Sequence, residues 1–116
     1  MEPVRSEPDL LLRLLTASET RARVISANIA NQNTPGYKRK EVQFEALLRD
    51  KLRQGQPVDD VSIEVVEDAE AEARPDGNNV NLEVELNDLR QNRLLFETYA
   101  AILEGRGNLK KIALDR

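Results

Sequence analysis

The sequence of 116 residues contains no cysteine and no histidine. Without cysteine there is no disulfide, no thiolate nucleophile and no cysteine-ligated zinc, and the redox compartment leaves no trace in the composition. Without histidine the commonest general base and metal ligand near neutral pH is missing. No uninterrupted apolar run reaches the roughly 18 residues that a membrane-spanning helix needs. The opening MEPVRSEPDLLLRLL carries acids and two prolines where a secretory signal has a basic segment, and Arg13 interrupts its apolar run. No signal peptide of the Sec type is expected. With 21 acidic residues, paired carboxylates are numerically available, but no glycine-rich phosphate loop or nucleophile elbow accompanies them. An acid-dependent hydrolase would rest on carboxylate abundance alone. Asp59, Asp60 and the acids after them lack the loop spacing of a calcium site. No catalytic, cofactor-binding or metal-ligating residue is therefore assigned.

What is present is charge and helical periodicity. Acids outnumber the 17 bases for a net charge of −4, which argues against a protein whose task is to coat nucleic acid. The charge is uneven: residues 1–54 hold 10 bases and 7 acids, residues 55–80 hold 1 and 8, and residues 81–116 hold 6 and 6. This divides the chain into an N-terminal helix over 1–33, a segment over 34–80 with a turn, a short helix and an acidic stretch, and a C-terminal helix over 81–116.

The first helix is expected to begin near Ser6, where Ser6 and Asp9 have capping-box spacing and Pro8 falls in the first turn. Leu11, Leu14, Leu15, Ser18, Ala22, Ile25 and Ile29 then recur at three and four, which makes one helical face. Leu10, Leu12 and Val24 widen the stripe enough for more than one neighbour. Pro35 forces Thr34 out of the helical region, and Thr34-Pro35-Gly36-Tyr37 reads as a type II turn. A short helix or turn is expected from Phe44 to Leu52, ended at Gly55-Gln56-Pro57. Val61 to Val65 alternate like a strand but show no obvious partner, and a lone strand is unstable in water. That segment is expected to be a hairpin or mobile, with Glu67 to Glu72 solvated.

Asp76-Gly77-Asn78-Asn79 reads as a turn, and Asn79 or Asn81 as the cap of the second helix, whose first turn is acidic at Glu83 and Glu85. Its apolar stripe is Leu82, Leu86, Leu89, Phe96, Tyr99 and Leu103 toward Leu114, flanked by Leu95, Ile102 and Leu109. At 1.5 Å per residue the two helices would span about 36 and about 50 Å. Gly105 and Gly107 weaken the second helix by about 1 kcal/mol each relative to alanine, so it bends or frays there or is closely approached by a neighbour. The expected fold is all-α dominated: long N- and C-terminal helices paired as an antiparallel, coiled-coil-like hairpin around a short middle segment that is mobile or contains β-structure. Leu11, Leu15 and Ile25 would pack against Leu86, Leu89, Phe96, Tyr99 and Leu103. Two helices cannot cover this much apolar surface, so packing on other chains is expected, with the isolated monomer partly unfolded.

Asn28, Asn31 and Asn33 form the sharpest local feature. Asparagine suits a helix end, where carbonyls lack partners. Asn28 and Asn31 could alternatively face a neighbouring chain and fix its register, as buried polar residues do in coiled coils. Lys38-Arg39-Lys40 is expected to be solvated and to interact with the end of the preceding helix.

The stretch Ala27 to Lys38, ANIANQNTPGYK, resembles the N-terminal signature of the bacterial flagellar rod and hook proteins, ANxANxxTPGYK. Asp76-Gly77-Asn78-Asn79-Val80-Asn81-Leu82, followed by a long helix with Leu94, Tyr99 and Leu103, is similar to the C-terminal half of that family. The chain length and the direct TPGYK turn resemble the proximal-rod type. It departs from that type's pattern at Phe96-Glu97-Thr98-Tyr99 and at Gly105 and Gly107.

The resemblance implies a structural subunit without enzymatic activity, stacked helically with other copies in the periplasmic rod of the basal body and exported by the flagellar type III apparatus. Implied partners are FlgC-type rod subunits, the adaptor FliE, the inner-membrane ring and the export gate, with no nucleic acid or small-molecule substrate. Asn28, Ile29, Asn31, Thr34, Pro35, Gly36 and Tyr37 would form the turn and contact other subunits. Phe44 and Leu48 resemble the segment by which such subunits engage the export gate; a local packing pair is the other reading. The alternatives are a FlgC-type rod subunit and a soluble helical-hairpin regulator or chaperone that binds a partner helix.

Overall fold

The computed structural model describes the backbone of residues 7–114 and the side chains of residues 10–108. Its elements are α1 (Glu7–Ala30), β1 (Lys40–Gln43), α2 (Glu45–Arg53), β2 (Glu64–Glu67) and α3 (Leu82–Leu114). The expected caps Ser6 and the Asp9 side chain, and the side chains of Leu109 and Leu114, lie outside the described residues.

Along α1, Leu11, Ser18 and Ile25 recur every seven residues and are all buried, the repeat that keeps one stripe of a helix against a neighbour. That neighbour is α3. Asn28 bonds Glu85 while Ser18 bonds Asn92, so α3 rises as α1 descends and the pair is antiparallel. On α3 the facing positions are Glu85, Asn92 and Tyr99, again seven apart, with Leu89, Phe96 and Leu103 half-buried beside them. Leu86 corrects the expected packing list, being 39% exposed. Glu85 takes the inward position, and one residue along a helix turns a side chain by about 100°.

A second face of α1 is covered by the middle segment. Ala17 packs with Phe44, Leu48 and Val61, and Leu10, Leu14, Leu47, Val58 and Ile63 close around them. The wide apolar stripe of α1 thus has the two neighbours it called for. Helix α2 ends in a Schellman motif at Gly55 (φ +68°), with Gly55 N–H donating to the Leu52 carbonyl at 3.1 Å and Gln56 N–H to that of Lys51 at 2.9 Å.

The middle segment contains β-structure. Strand β1 pairs antiparallel with β2, Lys40 opposite Glu67 and Gln43 opposite Glu64. The expected strand therefore begins three residues late, at Glu64, and its partner lies upstream of α2. Val61 instead enters the core, its N–H bonded to the Val58 carbonyl. The Lys-Glu-Val-Gln sequence of β1 offers a single apolar residue, Val42, too little for alternation to register.

Helix α3 starts as expected, with Asn81 Oδ1 accepting the N–H groups of Glu83 and Val84 at 3.0 and 3.3 Å. It runs unbroken through Gly105 and Gly107, and nothing lies within 4 Å of where a Cβ would stand at either. The molecule measures 65 × 30 × 19 Å with a radius of gyration of 17.8 Å, against about 13 Å for a compact domain of similar size. Large apolar side chains consequently stay outside, among them Leu12, Leu52 and Leu94, each more than half exposed. Among the described residues no helix is long and apolar enough to cross a membrane.

Candidate functional site

The most tightly organised region lies where α1 ends and α3 begins. Past Ala30 the chain turns twice: Thr34 N–H bonds the Asn31 carbonyl at 3.0 Å and Tyr37 N–H the Thr34 carbonyl at 3.2 Å. Gly36 supplies the positive φ of +74° that the type II turn requires. Asn31 Nδ2 caps the Ala27 carbonyl at 2.8 Å, and its Oδ1 accepts the Thr34 hydroxyl at 3.1 Å. Asn31 is therefore the helix-end cap that its residue type favours.

A second turn, Asp76-Gly77-Asn78-Asn79, docks onto the first. Gly36 N–H donates to the Asp76 carbonyl at 2.8 Å, and a Cβ on Gly77 would stand 3.3 Å from Gly36 Cα. Asn78, fully buried, donates through Nδ2 to the carbonyls of Asn31 and Thr34, both at 2.8 Å, and accepts Val80 N–H at 2.8 Å. Lys38 Nζ donates to the Gly77 carbonyl. Asn79 accepts Arg39 N–H at 2.7 Å and donates to the Asp68 carbonyl at 2.6 Å.

Beneath the two turns sits Asn28, also fully buried. Its Nδ2 donates to the Lys40 carbonyl at 2.8 Å and to Glu85 Oε1 at 3.0 Å. Its Oδ1 accepts the Tyr37 hydroxyl and Lys40 N–H, both at 2.9 Å. The side-chain amide is saturated within the chain, which corrects the reading that Asn28 points at a neighbour. Glu85, without solvent exposure, also accepts Arg39 Nε at 2.6 Å. Arg39 reaches Asp68 at 2.7 Å, Glu41 at 3.2 Å and Asp88 at 3.9 Å. The triplet expected to be solvated is thus split three ways: Lys38 onto a carbonyl, Arg39 into an ion-pair network, and Lys40 over the Tyr37 ring at 5.0 Å.

These environments shift the titrating groups. For Arg39 burial opposes the charge, but the bonds to Glu85 and Asp68 outweigh it, and the guanidinium holds its proton more firmly than usual. Asp68 is held below the ordinary carboxylate value chiefly by Arg39, against burial, with help from the N–H groups of Glu70 and Ala71. Burial, then the charge of Glu85, raises the Tyr37 hydroxyl. A second bridge stands further along the seam, where Arg21 of α1 binds both oxygens of Glu45 at 2.5 and 3.0 Å and reaches Asn92 at 3.5 Å. Asn92 in turn donates to the Ser18 carbonyl at 2.8 Å.

Every polar group at the centre of this junction is engaged by another, so its chemistry is that of a fastening. Among the described residues no group of His, Cys, Asp or Glu side chains is arranged to hold a metal ion.

The residues joined here are those of two sequence motifs about forty positions apart, ANIANQNTPGYK and DGNNVNL. The family model for the flagella basal body rod protein matches residues 15–38, the part of α1 and the turn that carry the first motif. The chain is 27% identical over 111 residues to the flagellar basal body rod protein FlgB of Bacillus subtilis (strain 168), covering 86% of each chain. It is 29% identical over 114 residues to FlgB of Borrelia hermsii, covering 81% of this chain and 84% of that one. It is 25% identical over 104 residues to FlgB of Yersinia ruckeri, covering 73% and 76% respectively. The chain is thus similar to flagellar basal body rod proteins, in the first motif and along most of its length.

In this chain the residues singled out from sequence fall in three places. Asn28, Asn31, Thr34, Pro35, Gly36 and Tyr37 build the junction, with Ile29 half-buried beside it. Leu11 and Ile25 are buried, Leu15, Leu89, Phe96, Tyr99 and Leu103 are half-buried, and Leu86 is exposed. Phe44 and Leu48 are buried in the satellite core, at 0% and 8% exposure, and so form the packing pair. Arg39 and Asp68, expected to be solvated, are paired with each other, Glu85, expected only to favour the first turn of α3, is buried, and Asn92 was not singled out. Glu85 and Asn92 were detectable as two polar residues seven apart on the inward stripe of α3, and the other two announce themselves only through the partners they meet.

Proposed function

We propose that this chain is a FlgB-like structural subunit of the bacterial flagellar basal-body rod, assembled by packing its α1–α3 pair against other subunits. The observation that carries the reading is the docking of the ANIANQNTPGYK turn onto the DGNNVNL turn through Asn28, Asn78, Arg39 and Glu85. It fixes how the middle segment leaves the helical pair, which a subunit needs if identical copies are to repeat one geometry. Apolar residues outside the seam, Val84, Leu94, Leu95 and Ile102, supply surface for neighbours. The protein acts by assembly and carries out no catalysis. FlgC-type subunits, the adaptor FliE and the inner-membrane ring are its proposed contacts.

Export through the flagellar type III apparatus belongs to the same reading. Phe44 and Leu48 would serve the export gate only before the chain folds, because folding buries both. Detergent-extracted basal bodies test the assignment: the protein is expected in the purified rod fraction, and cells lacking it are expected to be non-motile. A soluble regulator or chaperone would remain in the cytosolic fraction and leave purified basal bodies without the chain, an outcome that overturns the proposal.

A further inference from the structure

Beside β1, the α1–α3 pair leaves a groove of about 360 Å³. Val24 of α1, Val42 of β1 and Leu95 and Tyr99 of α3 give it apolar walls, and the carboxylates of Glu41 and Asp88 share the lining. Arg39 is the cation nearest to both, at 3.2 and 3.9 Å, but its shorter contacts go to Glu85 and Asp68 at 2.6 and 2.7 Å. One guanidinium therefore faces four carboxylates. The other cations of the groove do not redress the balance: Arg21 is engaged by Glu45, and the Lys40 ammonium lies over the Tyr37 ring. Cations and carboxylates are equal in number in the lining, but Glu85 and Asp68, outside it, draw on Arg39, so Glu41 and Asp88 are the least compensated charges of the groove.

The complementary surface is on the same polypeptide. Helix α2 presents Arg49, Leu52 and Arg53 at i, i+3 and i+4, one helical face. All three are exposed, Leu52 by 60%, and neither arginine pairs with an acid among the described residues. Phe44 and Leu48 hold α2 in the core, so it cannot swing Leu52 into the groove of its own chain. We propose that α2 of one copy docks in this groove on the next, Leu52 against Leu95 and Tyr99, with Arg49 and Arg53 toward Glu41 and Asp88. The proposal rests on the structural-subunit reading and names a contact between copies. Because the two surfaces differ, the interface is head-to-tail, and its repetition gives a ring or an open helix rather than a closed dimer.

The absence of cysteine makes a direct test simple, since any disulfide must join introduced residues. Full-length copies carrying Leu52→Cys are mixed with copies carrying Leu95→Cys and oxidised, and dimers are read on a non-reducing gel. Gln91→Cys, at a second exposed position on the groove lining, repeats the test with Leu95 intact, and circular dichroism verifies each variant's helicity. The cross-link is expected to exceed by tenfold or more that between Leu52→Cys and Leu12→Cys, a control on the exposed face of α1. Adding Arg49→Glu and Arg53→Glu to the first copy should abolish it, and adding Glu41→Arg and Asp88→Arg to the second should restore it. Absence of the cross-link, equal cross-linking to the control, or indifference to charge reversal overturns the proposal. The basal-body fractionation of the unaltered chain decides the structural-subunit reading separately.

Discussion

Asn28 of α1 and Glu85 of α3, 57 residues apart in sequence, meet at 3.0 Å with neither side chain exposed to solvent. A carboxylate is tolerated in such a place only when partners satisfy it, and Glu85 has two, the Asn28 amide and the Arg39 guanidinium. Apolar stripes alone would permit several staggers of α1 against α3. The stagger that joins these three groups leaves no buried polar atom of theirs unmatched, so the polar contact selects the register that apolar packing then stabilises.

Replacing Asn28 by leucine should therefore be costly. It removes the partner of Lys40 N–H, of the Lys40 carbonyl, of the Tyr37 hydroxyl and of one Glu85 oxygen. With each buried group left unmatched costing about 1–3 kcal/mol, Asn28→Leu is expected to lose about 3 kcal/mol or more, seen as a lower urea midpoint at unchanged slope.

Arg39→Met leaves Glu85 buried and deprived of its cation, and a loss of about 3–5 kcal/mol is expected. Adding Glu85→Leu should recover more than half of it, because the unmatched charge then disappears. Arg39→Lys should fall between the wild type and Arg39→Met, since an ammonium cannot bridge two carboxylates as the guanidinium fork does. A double-mutant cycle in chemical denaturation checks all three.

The glycines divide into two kinds. Gly77 has φ +85° and a Cβ there would press on Gly36 Cα at 3.3 Å, so Gly77→Ala should destabilise by about 1–2 kcal/mol. Gly36→Val, at φ +74°, should cost at least as much and impair motility, because a β-branched residue resists the left-handed region. Gly105 and Gly107 are helical and face open space, so alanine at either should raise stability by up to about 1 kcal/mol. Thermal melting of the four variants measures the contrast.

Acid should loosen the middle segment. Arg39 holds the Asp68 carboxyl below its ordinary value of 3.8. A group whose pKa is lowered by folding contributes its full stability above the unfolded value and loses it as pH falls through the folded one. The Asp68 contribution is thus expected to be constant from neutrality to about pH 4 and to decline below it. Asp68→Asn should flatten that part of the acid limb in urea midpoints measured against pH.

Local chemistry explains which features could be read from sequence. The limits of α1 and α3, the type II turn at Pro35-Gly36, the Asn81 cap and the stop at Gly55 all depend on residues within a few positions of one another. The β1 strand was hidden because its pairing residues supply one buried side chain, Val42, and its partner lies beyond an intervening helix. Leu86 misled because the inward position next to it is held by a glutamate, against the usual rule of apolar residues inside. Asn28 invited two readings, since a polar residue on an apolar face says only that it needs a partner. Its partners, Tyr37, Lys40 and Glu85, come from three different parts of the chain, and only the fold brings them together.

The fastening at the end of α1 joins residues 28–40 to residues 68–85, and this fixes a timetable. A polypeptide synthesised amino end first presents its leading helix, bend and following short helix well before the carboxylate that locks them has been made. Until then the latch has no bolt. Pliancy during synthesis and stiffness on completion are in this way written into the linear order of the residues.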